Sequence, residues 1–209
     1  MASDQKTVEN NKEEVPFRHY CALFQALDPA EAAARCGVAF DGGEFCVRLL
    51  DAEYFLAWPD FAIRTASGEG LALGKLPFQT FLMRYLLEGK AAAPCESYKT
   101  FREMPWGEVY LTPFTGRCLT RAAFTFGPRL EAFRRAAERL GGTSCLHGDA
   151  SYRFELLGGY RMELIVWAGD EEFPPSSQIL YTETFAEGFS AEDRVVAGDI
   201  LITAIKEKF

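Results

Sequence analysis

At 209 residues and 48% hydrophobic side chains, the chain can bury one substantial core or two small ones, and one compact domain is the simpler expectation. A formal charge of −8, with no run of basic residues, argues against a nucleic-acid surface, because neutralising phosphate takes clustered Lys and Arg. The start, "MASDQKTVENNKEEV", lacks the apolar core of a signal peptide, and no uncharged apolar stretch approaches the ~20 residues of a bilayer span, so a cytoplasmic, non-membrane protein is expected.

Residues 1–13 are too polar to offset the entropy of ordering and are expected to be a disordered tail, leaving 14–209 as the folded domain. From Pro16, Phe17, Tyr20, Leu23, Phe24 and Leu27 recur at helical spacing. "LDPAEAAARCG" has the punctuation of a short helix: Asp28 as cap, Pro29 at the first position, Glu31 in the first turn and Gly37 as a left-handed stop. The period then changes to two. Phe45, Val47 and Leu49 alternate with Cys46 and Arg48, and "EYFLAWP" follows a turn, which predicts a hairpin across 44–58 and a third strand within 61–67. In "KLPFQTFLMRYLLEG", Phe78, Phe81, Leu82, Tyr85 and Leu86 form one helical stripe, while Met83 and Leu87 on the other side predict burial on most faces.

Residues 90–116, rich in Pro, Gly and polar groups, read as irregular. Two helices are expected next, over "GRCLTRAAFTF" and "GPRLEAFRRAAERLGG", with Arg134, Arg135 and Arg139 on a solvated face. "SYRFELL" and "YRMELIVW" alternate strictly. A two-residue Gly158-Gly159 turn would set apolar residues opposite polar ones, so the expected register pairs Leu156 with Tyr160 across a three-residue loop with Gly159 left-handed. "SQILYTETF" adds a strand. A closing helix follows, with Ser190 and Asp193 as a capping box and Val196, Ala197, Ile200, Leu201, Ala204 and Ile205 as its stripe. Strands arranged in hairpins rather than βαβ units give an α+β class: antiparallel sheet packed with several helices.

Three stretches hold candidate chemistry. In "WAGDEEFPPSS", Asp170 and Glu172 are the carboxylates that can converge on a hard cation such as Mg²⁺ or Ca²⁺; the alternative is a turn at a strand end, with Asp170 accepting backbone N–H bonds. In "TFREMPWGEVY", Arg102 can grip a carboxylate or phosphate and Trp106 and Tyr110 can form an aromatic wall; alternatively, Arg102 is buried against Asp170 or Glu172. In "SCLHGDAS", Cys145, His147 and Asp149 share a face if extended, though Cys–His pairs usually meet across a fold, and both histidines, His19 and His147, read as ordinary. The six cysteines, Cys21, Cys36, Cys46, Cys95, Cys118 and Cys145, lack any C-x-x-C pair and are expected to be buried thiols.

The segments "LDPAEAAARCGVAFDGGEF", "FLMRYLLEGK", "YKTFREMPWGEVY", "FGPRLEAF" and "VWAGDEEFPPSSQILY", in that order, resemble the bacterial and archaeal family known as domain of unknown function 3786, from about Phe17 to Ile205. The resemblance implies an anaerobic setting and an association with iron–sulfur domains of the kind found beside corrinoid proteins, but no established reaction. No cluster domain is present here, so an iron–sulfur partner is expected to be another chain. Relatives carry a Leu-Phe-Asp-like string after the acidic core; here it is "ILYTETF", and Thr182 cannot replace a carboxylate.

The leading expectation is a non-catalytic accessory domain presenting an aromatic cleft, built from Arg102, Trp106, Tyr110, Trp167, Asp170 and Glu172, to a small ligand or redox-protein partner. A divalent cation or a corrinoid is the cofactor class to test. The alternatives are a hydrolase assisted by a metal on Asp170 and Glu172, and a purely structural interaction protein.

Overall fold

The structure, a computed structural model, describes residues 12–209. Apart from Lys12 and Glu13, the tail expected over 1–13 lies outside the described residues. Helix α1 (Glu14–Gln25) buries Phe24, packs Phe17 and Tyr20 against the core and leaves Leu23 exposed. Helix α2 (Pro29–Cys36) ends where its punctuation predicts. The Asp28 carboxylate accepts from the N–H groups of Ala30 and Glu31 at 2.9 and 3.0 Å, and Gly37 closes the helix at φ +64°.

A four-stranded antiparallel meander follows in sequence order: β1 (Ala39–Asp41), β2 (Glu44–Leu49), β3 (Ala52–Ala57) and β4 (Ala62–Thr65). The expected hairpin is β2–β3. Strand β1, three residues long, gives too little alternation to be read from sequence. Helix α3 (Leu76–Glu88) is buried on most faces, as expected. Its Gly89 is extended rather than left-handed, so the last carbonyls need another donor: the Arg35 guanidinium of α2 bonds those of Leu86 (2.8 Å), Leu87 (3.1 Å) and Gly89.

Residues 90–116 are not irregular throughout. Strand β5 (Tyr98–Thr100) leads into a 3₁₀ turn, Phe101–Glu103, and then α4 (Gly107–Phe114) runs through a π turn, Thr115–Thr120, into α5 (Arg121–Phe126). Gly107 and Pro113 look like breakers but act otherwise. A Cβ at Gly107 would lie 2.0 Å from the Phe101 carbonyl oxygen, so glycine is required for the tight entry, and Pro113 sits on the exposed side of the helix. The π turn seats Cys118 against Gly198, where a Cβ would approach its sulfur to 2.8 Å. Helix α6 (Leu130–Arg139) is the second expected helix; Arg135 and Arg139 are exposed and Arg134 is half-buried.

The larger sheet is antiparallel, in the order β5–β9–β8–β7–β6, with β6 (Thr143–Cys145), β7 (Ala150–Leu157), β8 (Tyr160–Trp167) and β9 (Ser176–Thr182). Its central register is the expected one: Phe154 faces Met162, Tyr152 faces Leu164 and Ala150 faces Val166. The loop differs. Leu157 pairs with Tyr160 across a two-residue turn, Gly158 (φ +58°) and Gly159 (φ +85°), and the extra residue is Leu156, bulged out of the strand. The bulge has a partner in the other sheet. The Leu50 N–H, in the β2–β3 turn at φ +52°, donates to the Leu156 carbonyl at 2.7 Å.

After the short α7 (Phe185–Gly188), helix α8 (Ala191–Glu207) starts with the predicted capping box of Ser190 and Asp193. It is buried well beyond its predicted stripe, including Val195, Ile202 and Arg194, because α3, α4 and α6 all pack on it. The result is an α+β fold of two antiparallel sheets with helices around α8. Most aromatic residues are spent in this core: Phe81 stacks on Phe189 at 4.9 Å, Phe101 on Phe114 at 4.1 Å, and Tyr181 meets Phe185 at 4.9 Å. No helix among the described residues is long and apolar enough to cross a membrane.

Two left-handed glycines separate backbone strain from crowding. Around Gly42 (φ +57°) an added Cβ meets nothing within 4 Å, whereas at Gly158 it would sit 2.1 Å from the Tyr85 hydroxyl, which is held by the Cys36 carbonyl. Gly42→Ala should cost only the left-handed penalty, about 1–2 kcal/mol. Gly158→Ala should cost measurably more, read as a larger fall in the urea midpoint; equal shifts would contradict this packing.

Candidate functional site

The predicted site residues fall into two separate places. Trp106 and Tyr110 line a groove of about 710 Å³ whose other wall is the α7–α8 junction, Ala186–Arg194, with Arg84 and Glu88 of α3 along it. Asp170 and Glu172 line a shallow depression with Pro128, Pro174 and Pro175, and Trp167, 37% exposed, ends β8 on the sheet face opposite Val166. Arg102 reaches neither acidic residue. It is exposed and bonds Glu108 at 2.7 Å, which corrects the expectation of a buried pair with Asp170 or Glu172.

The groove is built around a rigid loop. Thr100 and Glu103 form a reciprocal cap on the 3₁₀ turn, Gly107 packs against the Phe101 backbone, and Trp106 between them is held at φ +62°. The chief restraint is Arg194. Only 1% exposed, its guanidinium lies 5.6 Å from the Phe101 ring, donates to the Phe189 carbonyl at 3.0 Å and also donates to the Pro105 carbonyl. One buried side chain thus ties both walls together. Among the described residues no carboxylate bonds it, and burial holds its pKa below the ordinary arginine value. The sequence carries a signal for it: Arg194 lies in line with Ala197, Leu201 and Ala204 on the buried stripe of α8, where a charge needs a purpose.

On the rim, Arg84 lies within ion-pair range of Asp193 (3.1 Å), Glu192 (3.5 Å) and Glu88 (3.9 Å), over the ring of Tyr20 at 5.2 Å. Burial outweighs Arg84 at Asp193 and holds that carboxyl above its usual range. Trp106 is 74% exposed, and among the described residues its indole has no ring contact or hydrogen bond.

The acidic stretch is a turn held by its own backbone. Asp170 accepts from the N–H groups of Glu172 and Phe173 at 2.9 and 2.7 Å, and its own N–H donates to the Phe173 carbonyl. The Phe173 and then the Glu172 N–H bonds hold its carboxyl below the ordinary value. Among the described residues no group of three or more His, Cys, Asp or Glu could hold a metal ion, so a cation on Asp170 and Glu172 would find no third side chain of those types there. Thr182, where relatives are expected to carry a carboxylate, is buried in β9 and accepts from the Arg161 N–H at 3.3 Å.

In the third stretch the expected shared face gives way to a shared partner. The buried Glu163 carboxylate of β8 meets His147 Nδ1 at 2.5 Å and Arg153 at 3.3 Å, while Asp149 turns away to accept from the Ala168 N–H at 2.8 Å. Cys145 also neighbours Glu163, and its thiol is pushed up, first by burial and then by that carboxylate, the reverse of what a nucleophile needs. All six cysteines are free. Cys36 and Cys118 are buried, pushed up by burial to about 11 and about 12, and the other four are only partly buried. Sequence reasoning missed Glu163; the sign was a lone carboxylate in the middle of an apolar strand.

The chain matches the family described as Domain of unknown function (DUF3786) over residues 28–204. No curated protein and no solved structure matches it.

Two tests follow from this geometry. Arg102→Ala should leave the urea midpoint essentially unchanged, as for other exposed pairs, whereas Arg194→Ala should cost about 3 kcal/mol by stranding two carbonyls and opening a void, both read by urea denaturation. Because Asp170 is lowered in the folded state, its contribution is present above the unfolded value near ~4 and is lost as pH falls through the folded value. The stability gap between wild type and Asp170→Ala should therefore close in acid; a gap that widens there would contradict the turn.

Proposed function

The chain belongs to the DUF3786 family, whose description assigns no reaction, and from that premise we propose that it is a non-catalytic binding module whose Trp106 groove docks a partner protein. The observation that carries this is Trp106 itself. A bulky residue at positive φ is a backbone outlier that costs stability, and an indole left 74% exposed recovers little of that cost from packing. Such an arrangement fits selection for contact with something else, and Trp is the residue type most enriched among side chains that dominate binding energy.

The setting supports the same reading. Arg194, the Thr100–Glu103 cap and Gly107 hold the loop in one conformation, so little order remains to be gained on association. Val109, 66% exposed, lines the same groove and adds to its apolar surface. Polar groups on the walls are committed to one another: the Ser190 hydroxyl to Asp193 at 2.6 Å, and Arg84 to its carboxylates. That pattern suits recognition better than proton transfer or nucleophilic attack.

Trp106→Gly separates the possibilities. If the indole serves contact and not folding, glycine at this left-handed position should leave stability within about 1 kcal/mol of wild type or raise it. A loss of several kcal/mol would make Trp106 a structural residue and remove the basis of the proposal.

A further inference from the structure

Resting on the docking reading above, we propose that the Trp106 groove takes a lysine or arginine side chain presented by an extended segment of a partner protein. Four carboxylates, Glu88, Glu187, Glu192 and Asp193, face it against two guanidinium groups, those of Arg84 and Arg194. The second of these is committed to carbonyls of both walls, and Arg84 is shared among Glu88, Glu192 and Asp193. Glu187 is met by Lys90 at 2.7 Å, and both partners are about half exposed, so that contact is screened and can be shared with an incoming cation.

Trp106 and Tyr110 line the same groove as these carboxylates. Aromatic rings sharing a groove with an excess of carboxylate suit a cation with an apolar stem: the stem lies along the rings, the charged head meets the acids, and the ring quadrupole adds attraction. An anion would meet the carboxylate excess, and a neutral apolar group would leave it uncompensated. A peptide segment fits better than a free amine, because exposed Val109 lines the same groove and adds apolar surface that a small cation would leave uncovered.

The test is selection of a random linear peptide library on the wild-type chain, with counter-selection on Trp106→Gly. The expected result is enrichment of sequences with Lys or Arg beside apolar residues. Their affinity should fall about tenfold in Glu192→Lys and in Glu187→Lys, both exposed positions where folding should survive. Enriched, Trp106-dependent sequences without basic residues would overturn the cation assignment while leaving the docking reading standing. No Trp106-dependent sequence at all would overturn both. Displacement of a selected peptide by an equal concentration of tetramethylammonium would point to a small cation and overturn the peptide assignment.

Discussion

The groove depends on one buried guanidinium. Arg194 enters the core from the first turn of α8 and bonds carbonyls on segments 84 residues apart in sequence, Pro105 and Phe189. Burying a positive charge without a carboxylate is expensive, and two carbonyls and an aromatic face are modest compensation. The arrangement makes sense as a constraint. It fixes the distance between the loop that carries Trp106 and the α7–α8 junction, so the two walls cannot drift apart independently. The capping box at Ser190 and Asp193 anchors the same turn of helix, which places Arg194 on a rigid mount.

Around this mount the chain divides its aromatic residues by role. Phe81, Tyr85, Tyr160, Phe185 and Phe189 form a continuous buried cluster under the groove floor, where edge and stacked contacts hold α3, α7 and the large sheet together. Trp106 stands outside that cluster. A high aromatic content in the sequence therefore says mostly that the core is aromatic; Phe124 and Phe173 are exposed as well, and positive φ is what sets Trp106 apart from them.

The sequence is most legible where local chemistry decides. Asp28, Gly37, Ser190 and Asp193 act through groups within a few residues of themselves, and their helix ends fall where expected. The β7–β8 register is legible because burial of one face forces it. The bulge is not, since Leu156 is displaced in favour of a bond from Leu50 more than a hundred residues away. Helix α4 is hidden because Gly and Pro break helices on average, whereas Gly107 is set by its close approach to Phe101. Trp106 and Tyr110 could be picked out as a pair, but their facing wall lies 80 residues downstream. Asp170 is legible as a turn residue; the pairing of Arg102 with Glu108, six residues on and across the turn into α4, is the simpler local answer.

The hydrogen bond from Leu50 to the bulged Leu156 also sorts the small sheet's turns by how much alteration they can bear. In the Gly42–Gly43 turn an added Cβ at Gly42 meets nothing within 4 Å, and only Gly43 is tied down, by the Trp58 N–H, so the Gly42 side is a natural place to insert a label or an affinity tag. The Leu50–Asp51 turn is spliced to the other sheet, and Lys208 near the chain's end bonds Asp51 at 2.8 Å. A lengthened loop there would break these ties and leave the meander held mainly by side-chain packing.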